Sequence, residues 1–131
     1  MAKILIVDDE PAIVTLMRFI LEKVGHQVTE AHNGAEALEA LGVEPVDLEK
    51  PLPDLILLDI MMPIMDGHTA CLRIRGAART ARLPIIIVTA KGDMRSLFDT
   101  VPHIAAFFGK PFDPGGLRAA VTKALEAKAS S

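Results

Sequence analysis

The sequence has no Trp and no Tyr, and its aromatic residues, 4 % of the chain, are all Phe. Platforms for stacking nucleic-acid bases rely on repeated exposed rings and are not expected here. A basic excess is missing too: Lys and Arg number 14 against 17 Asp and Glu, for a formal net charge of −3. Binding to a phosphate backbone normally shows as clustered positive charge, so direct nucleic-acid contact is not expected. The single cysteine, Cys71, leaves no partner for an internal disulfide and fits a reducing cytoplasm. No apolar run approaches the ~18 residues of a membrane span. The first such run, Ile4–Val7, is too short for a signal peptide and ends in Asp8 and Asp9. What remains is a chain of 131 residues, 50 % hydrophobic and 24 % charged, enough for one folded domain with its own core. A small, acidic, cytoplasmic single domain over residues 1–131 is the expectation.

Five short apolar runs alternate with longer amphipathic stretches. The runs are Lys3–Val7, Gln27–Ala31, Leu55–Leu58, Ile85–Val88 and Ala106–Phe108. Three of them (ILIV, LILL, IIIV) are apolar at consecutive positions. A strand apolar on both faces is buried on both faces, which is the mark of a parallel sheet covered by helices. Helical patterns fall at Pro11–Val24, Gly34–Leu41, Gly67–Ala78, a weak stretch near Met94–Thr100, and Pro114–Ala127. Pro11 suits a first helical turn and Gly25 a stop. Strand and helix in alternation imply a doubly wound α/β sandwich. Gly42–Pro53 carries three prolines and reads as a surface loop. Pro102 should keep the fourth helix short.

The acidic groups fall at informative places. Asp8 and Asp9 follow the first run directly and Asp59 follows the third. Ligands of open parallel sheets bind outside the carboxyl ends of the strands. With the first and third strands as neighbours, three carboxylates converge on one rim and call for a cation among them. Hard oxygen ligands, few in number, suit Mg²⁺. Thr89 and Lys110 stand at the ends of the fourth and fifth runs, a hydroxyl and an ammonium. Together the five residues make a small anion-handling site in which one carboxylate can act as nucleophile. Taken singly, each has an ordinary explanation: a turn or cap for the Asp residues, strand propensity for Thr, a solvated charge for Lys. It is the set, one suitable group at each of four strand ends, that points to function.

The segments ILIVDDEP (4–11), NGAEAL (33–38), PDLILLDIMMPIMDG (53–67), PIIIVTAK (84–91) and KPFDP (110–114) carry a clear resemblance. The chain resembles a receiver (response-regulator) domain of two-component phosphorelay signalling over nearly its whole length. The resemblance implies a flavodoxin-like, five-stranded parallel sheet in order 2-1-3-4-5 with helices on both faces. It implies Asp59 as phosphoacceptor, with Asp8, Asp9, Asp59 and the backbone carbonyl of Met61 holding Mg²⁺. Thr89 matches the switch hydroxyl, Phe107 the switch aromatic, Lys110 the phosphate-pairing lysine, and Pro111 a proline held in cis. The implied partners are a histidine kinase or histidine phosphotransfer domain and a downstream protein target, without nucleic acid or membrane. No output domain is read in the sequence, so output is expected through docking or onward phosphotransfer. Met61 and Lys91, each two positions after a site residue, are expected to flank the approach of a hydrolytic water.

The switch aromatic is Phe, which has no phenolic hydroxyl, and the segment before Lys110 lacks the usual Gly-Ala step. Two other readings stay in view. A dehalogenase-type phosphatase would need an acid two positions after the nucleophile, where this chain has Met61. A receiver-like interaction module that works without phosphorylation would not need the intact site residues. In the first helix, Ile13, Met17, Ile20 and Leu21 are expected to face the sheet. Val14 and Phe19 are then expected near the exposed side, as a docking surface for the partner's helix. Cys71 reads as helix packing, and His26, His32, His68 and His103 as surface residues without metal-ligand spacing.

Overall fold

The computed structural model describes residues 2–90 and 95–130, with side chains through residue 128. The five apolar runs form β1 (Lys3–Val7), β2 (Gln27–Ala31), β3 (Leu55–Leu58), β4 (Ile85–Thr89) and β5 (Ile104–Gly109). They pair in parallel in the order 2-1-3-4-5, as expected. Every residue of β3 and β4 is buried, which is why these strands read as unbroken apolar runs. Helices α1 (Pro11–Glu22) and α4 (Pro114–Ser130) cover one face, packing Val14, Met17, Leu21, Leu117 and Val121 on Ile4, Ile6, Leu55 and Leu57. Helices α2 (Gly34–Ala40) and α3 (Gly67–Gly76) cover the other, over Leu5, Val7, Ile56 and Leu58. Each buried side chain of this size contributes roughly 1.5–3 kcal/mol, so the two cores anchor both layers.

Local chemistry sets the helix starts. Asn33 caps α2 by accepting the Glu36 amide at 2.9 Å, and Asp66 caps α3 by accepting the Thr69 amide at 2.8 Å. Asp113 does the same for Gly116 at 2.7 Å, which secures the start of α4 despite its two glycines. Between β4 and β5 the described residues contain only a 3₁₀ turn, Arg95–Phe98, so the expected short fourth helix is shorter still. Met94, at the start of that stretch, and Lys91 lie outside the described residues.

One expectation about α1 is corrected. Val14 is 3 % exposed and lies in the core, whereas Phe19 is 63 % exposed. Five residues at 3.6 per turn place the two side chains about 140° apart, so they cannot share a face. Val14 falls in line with Met17 and Leu21 at the i, i+3, i+7 spacing of the buried stripe. Phe19 stands outward, with the Lys23 ammonium 5.6 Å from its ring centre. Val14 is therefore no part of a docking surface.

Candidate phosphoacceptor site

Parallel registration brings the strand ends together. The Asp59 amide donates to the Val7 carbonyl at 2.9 Å and the Asp8 amide to that of Ala31 at 3.1 Å. These bonds carry the ladder one residue past the strands and hold Asp8 and Asp59 side by side. On the other flank, the Lys110 amide donates to the Thr89 carbonyl at 3.0 Å. The Lys110–Pro111 bond that follows is cis, as the resemblance implied. Asp8 is fully buried and Asp59 3 % exposed, while Thr89 is 8 % exposed.

The Lys110 ammonium reaches back into this group. Its Nζ lies 2.7 Å from Asp8 Oδ2, 2.8 Å from Glu10 Oε1 and 3.5 Å from Asp59 Oδ2. The contact with Asp8 Oδ2 is an ion pair without hydrogen-bond alignment, whereas Glu10 accepts a hydrogen bond. Asp8 Oδ1 accepts the Glu10 amide at 2.9 Å. Carboxylate oxygens of Asp8, Glu10 and Asp59 all lie within 4.8 Å of one another. Asp9 is exposed and stands outside that group. Glu10 was not anticipated, although it completes the acidic triplet that begins at Asp8. It occupies the cap position of α1 without capping it, which leaves its carboxylate free to turn toward Lys110.

Burial pushes the Asp59 carboxyl up from 3.8 to about 6. The charge of Asp8 adds to the rise, and Lys110 and the Met61 amide oppose it. Asp8 is likewise raised, chiefly by burial, against the pull of Lys110 and the Glu10 amide. For Lys110 burial acts downward, but its close contacts with the Asp8 and Glu10 carboxylates and the field of Asp59 outweigh it, and the ammonium stays charged. Among the described residues, Asp59 Oδ1 and Thr89 Oγ1 are buried without a hydrogen-bond partner. Unsatisfied polar atoms of this kind are costly, and two of them at one rim mark a place shaped for something polar. Hard carboxylate oxygens in a tight group fit a small divalent cation such as Mg²⁺.

The loop after Asp59 is held from below. A Cβ at Gly67 would stand 2.0 Å from the Asp59 carbonyl oxygen, so α3 can approach the end of β3 this closely only with glycine there. Met61, next along, is 51 % exposed and Ile64 83 % exposed at the rim. Phe107 pairs with Ile87 across β4 and β5, on the same face as Thr89. Its ring meets Phe98 edge-on at 5.8 Å, and the Arg95 guanidinium lies 5.6 Å from its centre. His68, half-buried rather than a free surface group, touches Phe98 edge-on at 5.3 Å. Cys71 is buried in the core, its thiol pushed up to about 11 by burial, in keeping with a packing role.

An open parallel sheet with an acidic rim at its carboxyl ends, a lysine and a threonine facing it, is the architecture of a phosphorelay receiver. The model of the response regulator receiver domain matches residues 4–122, and the chain belongs to that family. The chain is 40 % identical over 114 residues to the DNA-binding dual master transcriptional regulator RpaA of Synechocystis. That match covers 86 % of this chain and 44 % of RpaA, so the chain spans less than half that relative's length. It is 44 % identical over 91 residues to Protein PilH of Pseudomonas aeruginosa, covering 70 % of this chain and 69 % of PilH. Among solved structures, the receiver domain of the sensor histidine kinase PA1611 from Pseudomonas aeruginosa superposes with a TM-score of 0.80 at 26 % identity. That superposition covers 95 % of this chain and 98 % of the other, which carries a magnesium ion coordinated in its active-site cleft. Receiver domains are signalling modules of two-component systems, where they pair with histidine kinases, rather than enzymes in the usual sense. Among the described residues no helix is long and apolar enough to cross a membrane.

Proposed function

We propose that this receiver takes a phosphoryl group onto Asp59 from the phosphohistidine of a histidine kinase or a histidine phosphotransfer domain. The observation that carries the reading is the buried Asp59 carboxylate with Oδ1 unpartnered, beside the Lys110 ammonium, with the unpartnered Thr89 hydroxyl at the end of the neighbouring strand β4. An Asp59 oxygen attacks the phosphorus in line, the N–P bond breaks, and its electron pair and a proton end on the departing imidazole. Asp8, Asp9, Asp59 and the Met61 carbonyl are the proposed holders of Mg²⁺, and the magnesium-bearing relative supports that choice of ion. Bound there, the ion would offset charge on the phosphoryl oxygens.

Lys110 exchanges one of its carboxylate contacts for a phosphoryl oxygen, and Thr89 donates its hydroxyl to another. Removing the hydroxyl from its resting place makes room for Phe107, whose inward packing is the proposed signal. Phe19, exposed on α1, is the remaining candidate for contact with the partner's helix. A downstream protein, reached by docking or by onward transfer in the cytoplasm, is the proposed recipient. Intact-mass spectrometry after incubation with acetyl phosphate and Mg²⁺ tests the reading. One added phosphoryl group is expected on the wild type and none on Asp59→Asn; equal labelling of both, or labelling of neither, overturns it.

A further inference from the structure

Helix α2 has seven residues, about 10 Å of rise, whereas β2 beneath it spans about 16 Å. The helix therefore stops short, and the starting ends of β1 and β2 have no helix above them. The proline-rich segment around Leu52 folds back to make a second wall. Arg79 holds that segment through carbonyls: Nε donates to Leu41 at 3.1 Å, one terminal nitrogen to Leu48 at 2.8 Å and the other to Lys50. Between the two walls lies a groove of about 450 Å³, within the range that small ligands occupy.

Ala40, Pro51, Leu52 and Pro53 give the groove its accessible apolar lining, Leu5 and Leu41 lie buried at its floor, and Thr29 contributes a hydroxyl. Its charged lining residues are Lys3 and Lys50, with no carboxylate, in a chain whose net charge is −3. Asp54, beside the groove, accepts the Lys3 amide at 2.9 Å, pairs with Lys128 at 3.1 Å and also feels the Lys3 charge. Lys50 has no ion-pair partner among the described residues. We infer that the groove binds a small amphiphilic anion, its head on Lys50 and its apolar body against Ala40, Leu52 and Pro53, over the buried floor of Leu5 and Leu41. The groove opens at the opposite ends of the strands from Asp59, so the inference stands apart from the phosphoryl chemistry.

Titrating isotope-labelled protein with octanoate, and with octanol as its neutral counterpart, tests the inference by amide chemical shifts. Octanoate should saturate one site in the millimolar range, moving the amides of Thr29, Leu41 and Leu52 and leaving those of Thr89 and Lys110 in place. Lys50→Glu should weaken octanoate by about five-fold or more while leaving octanol unchanged. Thr29→Trp should fill the groove and abolish both. Thr29 and Lys50 are exposed, and spectra of the free variants check that the fold is kept. Shifts that never saturate, shifts scattered over the surface, or octanoate affinity unchanged in Lys50→Glu would overturn the proposal.

Discussion

Replacing Asp59 by Asn should stabilise the metal-free protein, and by an amount that depends on pH. The carboxyl is raised from 3.8 to about 6 in the folded chain, mainly by burial. Between those values the folded chain keeps a proton that the unfolded chain has already released. Stability is therefore lost as pH rises through that window, and the loss is complete above it. The gap between 3.8 and about 6, at about 1.4 kcal/mol per pH unit, corresponds to about 3 kcal/mol at pH 7. The figure already contains the attraction of Lys110, because that ammonium is among the opposing causes. Asn has nearly the same shape and no charge, so it removes the cost without opening a cavity. For a domain of this length the gain should raise the melting temperature by about 10 °C. Urea denaturation of both proteins with a chelator present, at neutral pH and again near the ordinary carboxylate range, is the assay. The advantage of Asp59→Asn should be large at neutral pH and vanish in acid, and added Mg²⁺ should narrow it. Equal stability at neutral pH, or an advantage of the same size in acid, would refute the reasoning.

Gly67→Ala forces a Cβ to within 2.0 Å of the Asp59 carbonyl oxygen, and should cost about 3 kcal/mol in urea unfolding or displace the loop after Asp59 in a crystal structure. Ile64 holds φ at 70°, where a β-branched side chain is strained, so Ile64→Gly should stabilise by about 1 kcal/mol in the same measurement. Met61 is bulky, apolar and half exposed two positions after Asp59, the proposed acceptor, and gives a hydrolytic water no hydrogen bond. Met61→Asn should speed decay of the purified phosphorylated protein by about tenfold, a change of about 1.4 kcal/mol in the barrier. Phe19→Ala should slow transfer from the partner protein several-fold and leave labelling by acetyl phosphate unchanged; a parallel loss in both would assign Phe19 to folding.

Strand positions and sheet type were legible in the sequence because burial on both faces leaves no alternation, as ILIV, LILL and IIIV display. The acidic rim was legible for a related reason. In a parallel sheet every strand end of interest lies at one edge, so residues just after the apolar runs must meet once strand order is known. The ordered motifs supplied that order, and the observed registers of β1 with β3 and of β4 with β5 agree with it. The long proline-rich connection was also plain from composition.

Tertiary structure alone decided the rest. Periodicity sets Val14 and Phe19 about 140° apart on α1, and burial in the folded chain shows which of the two faces the core: Val14 inside, Phe19 outside. Glu10 enters the acidic group because Lys110, a hundred positions away in the chain, arrives within 2.8 Å of it. Arg75 and Arg79 donate to backbone carbonyls of the loops around β4 and before β3, contacts that no spacing along the chain announces. The unpartnered oxygens of Asp59 and Thr89, and the groove left where α2 ends before β2, belong to the same class. Hydrophobic pattern follows local period and can be read along the chain, whereas reach, mutual burial and unpaired polar atoms are properties of distances that exist only after the chain has folded.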